Sequence, residues 1–272
     1  MAQEARGTQR AETLEAHTRR AAFPRGETPV VLRYELSVPQ GAARAWPRGG
    51  RRVDRCYRRL AGCLERDARR SLLRRASRLC RAAAGQEIPF TPAAVALSYT
   101  VTLLADGVLS LYRDYTEEAD AGAGAVWRAA ETWNLCDGCP VALRSLLGRR
   151  RAAYAGLLAA AEPLLDAQRR VGAPLYKDFP ARARRFFSAE RFYLTMDEIV
   201  IFWNPGLLAP RCAGVCRVRV PYGDIDLTRP MFREPAHHPL WATLPGCPDW
   251  RGWRGPRESF LRNLGKTLST KR

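Results

Sequence analysis

The chain has 272 residues, 46% of them hydrophobic, which is enough for one large domain or two small ones with a packed core. Its net charge of +18 and pI near 10.4 come almost wholly from arginine; Lys177, Lys266 and Lys271 are its only lysines. No run approaches the roughly 20 apolar residues of a membrane span, and the first residues lack an apolar signal core, so the sequence is expected to be cytoplasmic.

Residues 1–27 are polar, basic and without periodicity, and are expected to be disordered. Val30–Val38 reads as a strand ended by Pro39-Gln40-Gly41, and Ala42–Arg52 as a Gly/Arg/Pro connector. From Val53 to Ala84, Tyr57, Leu60, Leu64, Ala68, Leu72, Leu79 and Ala83 recur at three-, four- and seven-residue steps. That spacing predicts a long amphipathic helix with an arginine-covered outer face.

Val95, Leu97, Tyr99, Val101 and Leu103 alternate with polar or small residues, and Asp106-Gly107 signals a hairpin into Val108–Tyr115. An acidic, then Ala/Gly-rich loop runs from Glu117 to Gly124. Val126–Leu135 reads as a strand carrying Trp127 and Trp133, Asp137-Gly138 as a turn, Pro140–Leu143 as a short returning strand, and Ser145 as an N-cap. Arg150 to about Arg170 reads as a second helix, and Phe179–Ala189 as a short basic one. Phe192–Thr195 is an aromatic strand, and Ile199–Trp203 is an apolar run suited to a strand buried on both faces. Asn204-Pro205-Gly206 breaks it, and Cys216, Val218 and Val220 alternate with Arg217 and Arg219 in a last strand. Residues 227–272 form an irregular Trp/Pro/Arg-rich tail containing His237, His238, Trp241, Trp250 and Trp253.

The whole reads as an α+β fold: antiparallel meanders packed against two long amphipathic helices, with flexible termini. Residues 28–226 make the domain, divisible into 28–170 and 171–226.

The stretch Phe192–Ile225 resembles the C-terminal domain shared by the anti-sigma factor RsiV and the peptidoglycan deacetylase PdaC. The resemblance rests on Phe192-Tyr193-Leu194-Thr195, Asn204-Pro205, Ala209-Pro210, Ala213-Gly214 and Pro221-Tyr222, and it extends upstream through residues 95–147. It implies a non-catalytic binding module in a bacterial envelope-stress or regulatory context. The family's Gly-Gly-Ala-His loop is Ala121-Gly122-Ala123-Gly124 here, without the histidine. Asp120, Gly122, Gly124, Trp127, Leu207 and Arg211 are the candidate contacts to a partner, expected to be a protein or an acidic polymer. The competing reading is a nucleic-acid-binding protein that uses its arginine-rich surface.

Chemistry has few candidates. Cys136-x-x-Cys139 sits on a turn and could join Cys212 and Cys216 in a four-thiolate zinc site, form a disulfide across the hairpin, or leave four unlinked thiols; the last is expected, with no metal and no cofactor. Asp114, Glu117, Glu118 and Asp120 cluster, but loop carboxylates are ordinarily solvated, and no hydrolase or phosphate-loop motif is present.

Overall fold

The computed structural model describes residues 14–24, 29–105, 107–118, 126–147 and 151–225. These form a mixed α+β fold with a six-stranded sheet, a separate three-stranded sheet and flanking helices.

The large sheet runs β1 (Glu15–Phe23), β2 (Leu32–Gln40), β3 (Ala93–Ala105), β4 (Val108–Glu118), β5 (Trp127–Asn134) and β6 (Cys139–Pro140), side by side in chain order. All neighbours are antiparallel except β2 and β3, which pair in parallel from Leu32–Ala93 to Leu36–Leu97. The purely antiparallel expectation fails there for a topological reason. A long helix lies between these two strands, and a helical crossover returns the chain in the same direction.

That crossover is α1 (Ala42–Ala45), α2 (Gly49–Asp67), a π-helical turn (Ala68–Leu72) and α3 (Leu73–Gly85). The supposed connector Ala42–Arg52 is therefore mostly helix. Asp54, itself buried, accepts hydrogen bonds from the Ala42 and Ala43 amides and so satisfies the free first turn of α1. Helix α2 begins four residues before Val53 because Gly49 allows a close approach. A Cβ at Gly49 would lie 2.0 Å from the Leu135 carbonyl oxygen. The helix buries Val53, Tyr57, Leu60, Ala61 and Leu64, and the π turn Ala68, against Tyr34, Leu36, Val95, Leu97, Leu109, Leu111 and Trp133 of the sheet.

Strand β1 corrects the expectation of disorder through residue 27. It is an edge strand held by its backbone ladder and by paired polar side chains: Glu15 with Arg44, Thr18 with Ser37, Arg19 with Glu65 and Arg20 with Glu35. A strand that buries little shows no apolar alternation, so its sequence looks featureless.

The expected strand Pro140–Leu143 is also corrected. Only Cys139–Pro140 pairs, and α4 follows at Leu143–Leu147. Leu143, Leu146 and Leu147 are all buried, at helical spacing. Ser145 lies inside this helix and donates to the Ala142 carbonyl, so it is not the N-cap of this turn.

The small sheet is β7 (Phe192–Leu194), β8 (Glu198–Trp203) and β9 (Cys216–Pro221), all antiparallel. One face carries Phe192, Leu194, Ile199, Ile201, Trp203, Val218 and Val220. It packs with α4, with α5 (Arg151–Arg170) and with α6 (Phe179–Arg185) in a second core. The other face carries Tyr193, Val200 and Phe202 and lies on Tyr112 and Ala130 of the large sheet. Ile199–Trp203 is thus buried on both faces, as its unbroken apolar run predicts.

Candidate functional site

Two features stand out: a polar seam that joins the sheets, and an arginine-rich helical face.

The seam is built from short side chains on the outer face of the large sheet. Strands β3 and β4 slip register between Val101 and Leu103, which turns Thr102 toward the small sheet. Its hydroxyl donates to the Leu194 carbonyl at 2.7 Å. Ser110, directly opposite Thr132, accepts from the Leu194 amide at 2.8 Å and shares a 2.9 Å hydroxyl contact with Thr132. The free edge of β7 is therefore closed by side chains.

Asn204 does the same for β5. Its side-chain oxygen accepts from the Arg128 amide at 2.9 Å, and its side-chain nitrogen donates to the Arg128 carbonyl at 3.1 Å. The amide imitates one residue of a neighbouring strand. The Asn-Pro break foreseen in the sequence is thus a clamp: Pro205 ends β8, and Asn204 spends its side chain on the other sheet.

Beside this clamp Arg128 makes a bidentate ion pair with Asp114, at 2.8 and 2.7 Å, and stacks 3.7 Å over the Tyr112 ring. On the opposite face of the sheet Arg113 is fully buried. It pairs with Glu131, and Tyr57 donates to the same carboxylate while accepting from the Trp133 indole at 2.8 Å. Burial opposes the Arg113 charge, but the Glu131 carboxylate more than restores it and holds the guanidinium above its ordinary value. Burial also pushes the nearby Cys56 thiol up to about 12.

Among the described residues the carboxylate cluster does not assemble into an acid–base pair. Asp114 is held by Arg128, and Glu117 accepts from Arg75 and Tyr115. Glu118 is exposed at the rim of a groove of about 590 Å³ across β1–β4, floored by Ala22, Ala94 and Ala96. Asp120, Gly122 and Gly124 lie outside the described residues, as does the tail from residue 226.

The remaining sequence candidates are scattered. Trp127 is half-buried and packs on the helix side of the large sheet. Leu207 packs against the second core, and its amide and carbonyl are bonded to Asn204 and Arg182. Leu208 and Ala209 beside it are buried, so this loop is mostly structural. Arg211 is exposed on a 3-10 turn, Arg211–Ala213.

The four cysteines do not meet. Among the described residues no cluster of metal-ligating side chains occurs. Cys136 and Cys212 are exposed free thiols, and Cys216 is a half-buried one. Cys139 is disulfide-bonded, which corrects the expectation of four unlinked thiols, and Cys136 is not its partner.

The basic face lies on α2 and α3. Residues 49–85 hold twelve arginines against three acids, Asp54, Glu65 and Asp67. Asp54 caps α1, and Glu65 is shared by Tyr34, Arg19 and Arg69. Arg70, Arg74, Arg78 and Arg81 make no ion pair among the described residues, and Arg74, Arg78 and Arg81 are exposed. With Arg69, Leu73 and Ser77, the last three line a groove of about 630 Å³. Sequence periodicity foretold an arginine-covered face; it could not show which arginines would lack a carboxylate.

No helix among the described residues is long and apolar enough to cross a membrane. No curated protein matches the chain. Two solved structures share the fold: a DUF3298 family member from Bacteroides fragilis NCTC 9343, with TM-score 0.51 and 16% identity, and a DUF3298 family protein from Pseudomonas aeruginosa PAO1, with TM-score 0.54 and 15% identity. The matches cover 77% and 78% of this chain respectively and 91% of each structure. Residues 160–223, from mid-α5 through the small sheet with its Asn204 clamp, match the family model "Protein of unknown function (DUF3298)".

Proposed function

We propose that this chain is a non-catalytic binding module that recognises an acidic partner through the arginine face of α2 and α3. One observation carries the reading: Arg70, Arg74, Arg78 and Arg81 form a stripe with no carboxylate answering it among the described residues. A solvated cationic stripe of this kind attracts anions over about a Debye length, 8–10 Å at physiological salt. Of the clustered carboxylates, Asp114 is held by Arg128 and Glu117 by Arg75 and Tyr115. The resemblance to the RsiV and PdaC C-terminal domains supports the same class, a module that binds without turnover.

The test is equilibrium binding of labelled polyglutamate and other polyanions at several salt concentrations. Binding at 50 mM salt should weaken linearly on a log–log plot as salt rises. Absence of binding to any polyanion at 50 mM salt would remove the reading.

A further inference from the structure

Resting on that reading, we infer that the ligand of the arginine stripe is a linear phosphodiester polymer, held by its backbone and not by its side groups. The first argument is spacing. Arg70, Arg74, Arg78 and Arg81 follow one another at steps of four, four and three residues. At about 1.5 Å per helical residue they form a ladder with rungs about 4.5–6 Å apart. A ladder of single charges at regular intervals suits a polymer with one anion per repeat.

The second argument is the donor chemistry. Every cation on the stripe is a guanidinium, whose planar fork bonds two phosphate oxygens at once. The hydroxyl-bearing Ser77 lies among them in the groove. Leu73 is the sole apolar lining residue described, and no aromatic ring lines the groove to stack a base. Recognition is therefore indifferent to sequence.

The third argument is the backbone. The π-helical turn Ala68–Leu72 interrupts the helix where the groove begins. Such turns rotate the following residues relative to the preceding ones, and they concentrate at functional sites. Here Arg69, at the start of the groove, is bonded to Glu65 and Tyr34. The arginines of α3 are left on the outer face.

The experiment titrates the full chain with fluorescent dT20 and, separately, with polyglutamate of equal charge. We expect dT20 to bind at least about tenfold more tightly at the same salt. Each guanidinium on a phosphate contributes about 0.7 to the slope of log K against log salt. The triple variant Arg74→Gln/Arg78→Gln/Arg81→Gln should therefore lose about 2 units of slope. Arg144→Gln/Arg185→Gln/Arg217→Gln removes the same net charge from exposed positions elsewhere and should leave the slope within about half a unit of the parent. Equal affinity for dT20 and polyglutamate overturns the phosphodiester inference and leaves the acidic-partner reading standing. Equal slope losses in the two triple variants also overturn it, by showing net charge without a site. No binding to either polymer removes both readings.

Discussion

Asn204→Ala is the sharpest single perturbation of this fold. The Arg128 amide and carbonyl point to the same edge of β5, as both groups of a strand residue do, and both are satisfied by the Asn204 side chain. Truncation removes both partners at a site that is 2% exposed, where water cannot replace them without opening the seam. A buried backbone group left unpaired costs about 1–3 kcal/mol, so the pair costs about 2–6 kcal/mol. For a domain of this size each kcal/mol lowers Tm by about 2–4 °C, which gives a drop of roughly 4–24 °C. Thermal unfolding followed by circular dichroism measures it, and hydrogen exchange at the Arg128 amide reports whether the seam opens locally. Pro205→Ala, which alters the same break without touching the clamp, should cost less than about 1.5 kcal/mol. A Tm within about 2 °C of the parent for Asn204→Ala, or an Arg128 amide as protected as before, would refute the clamp.

Three further outcomes are expected. Arg113→Met alone strands Glu131 in the core and should cost about 3–5 kcal/mol in urea unfolding, while Arg113→Met/Glu131→Leu should recover at least half of that. The Cys56 thiol rises in the folded chain from 9.0 to about 12, so the folded state keeps a proton that the unfolded state releases. Stability should therefore fall as pH climbs from about 9 toward 12, with Cys56 contributing at most about 1.4 kcal/mol per pH unit, and Cys56→Ala should flatten that slope. Because Cys139 is oxidised, the denatured, unreduced chain should titrate with six thiols and the reduced chain with all eight; eight without reductant would contradict the bond.

What could be read from the sequence follows from which interactions leave a period. The α2–α3 helix and β8 bury continuous apolar patterns, and their boundaries are close to those expected. Strand β1 and the seam leave none. Thr102, Ser110 and Thr132 look like ordinary alternating strand residues, and only the register slip at Val101 and the arrival of Leu194 turn them into a junction. Asn204 was visible as a break but not as a bond, because its partner lies 76 residues away. The arginine stripe was visible as charge. Its lack of counter-ions depended on where Glu65 and Asp54 turned, which is a tertiary fact. The parallel β2–β3 pairing was implicit in the long helix between two strands, and the antiparallel expectation overlooked it.

The hydroxyls and the amide that finish β7 and β5 also govern how the molecule can meet copies of itself. A sheet edge with open amides and carbonyls is a template for another chain, and these two edges have been taken out of circulation by Ser110, Thr102 and Asn204. The outer edge of β1 is left to charge instead: Glu15, Arg19 and Arg20 stand along it, each engaged in an ion pair with its own domain. A strand approaching in register would have to displace those pairs. Crowding should therefore leave the molecules separate, and neutralising substitutions on β1 are where self-assembly would begin.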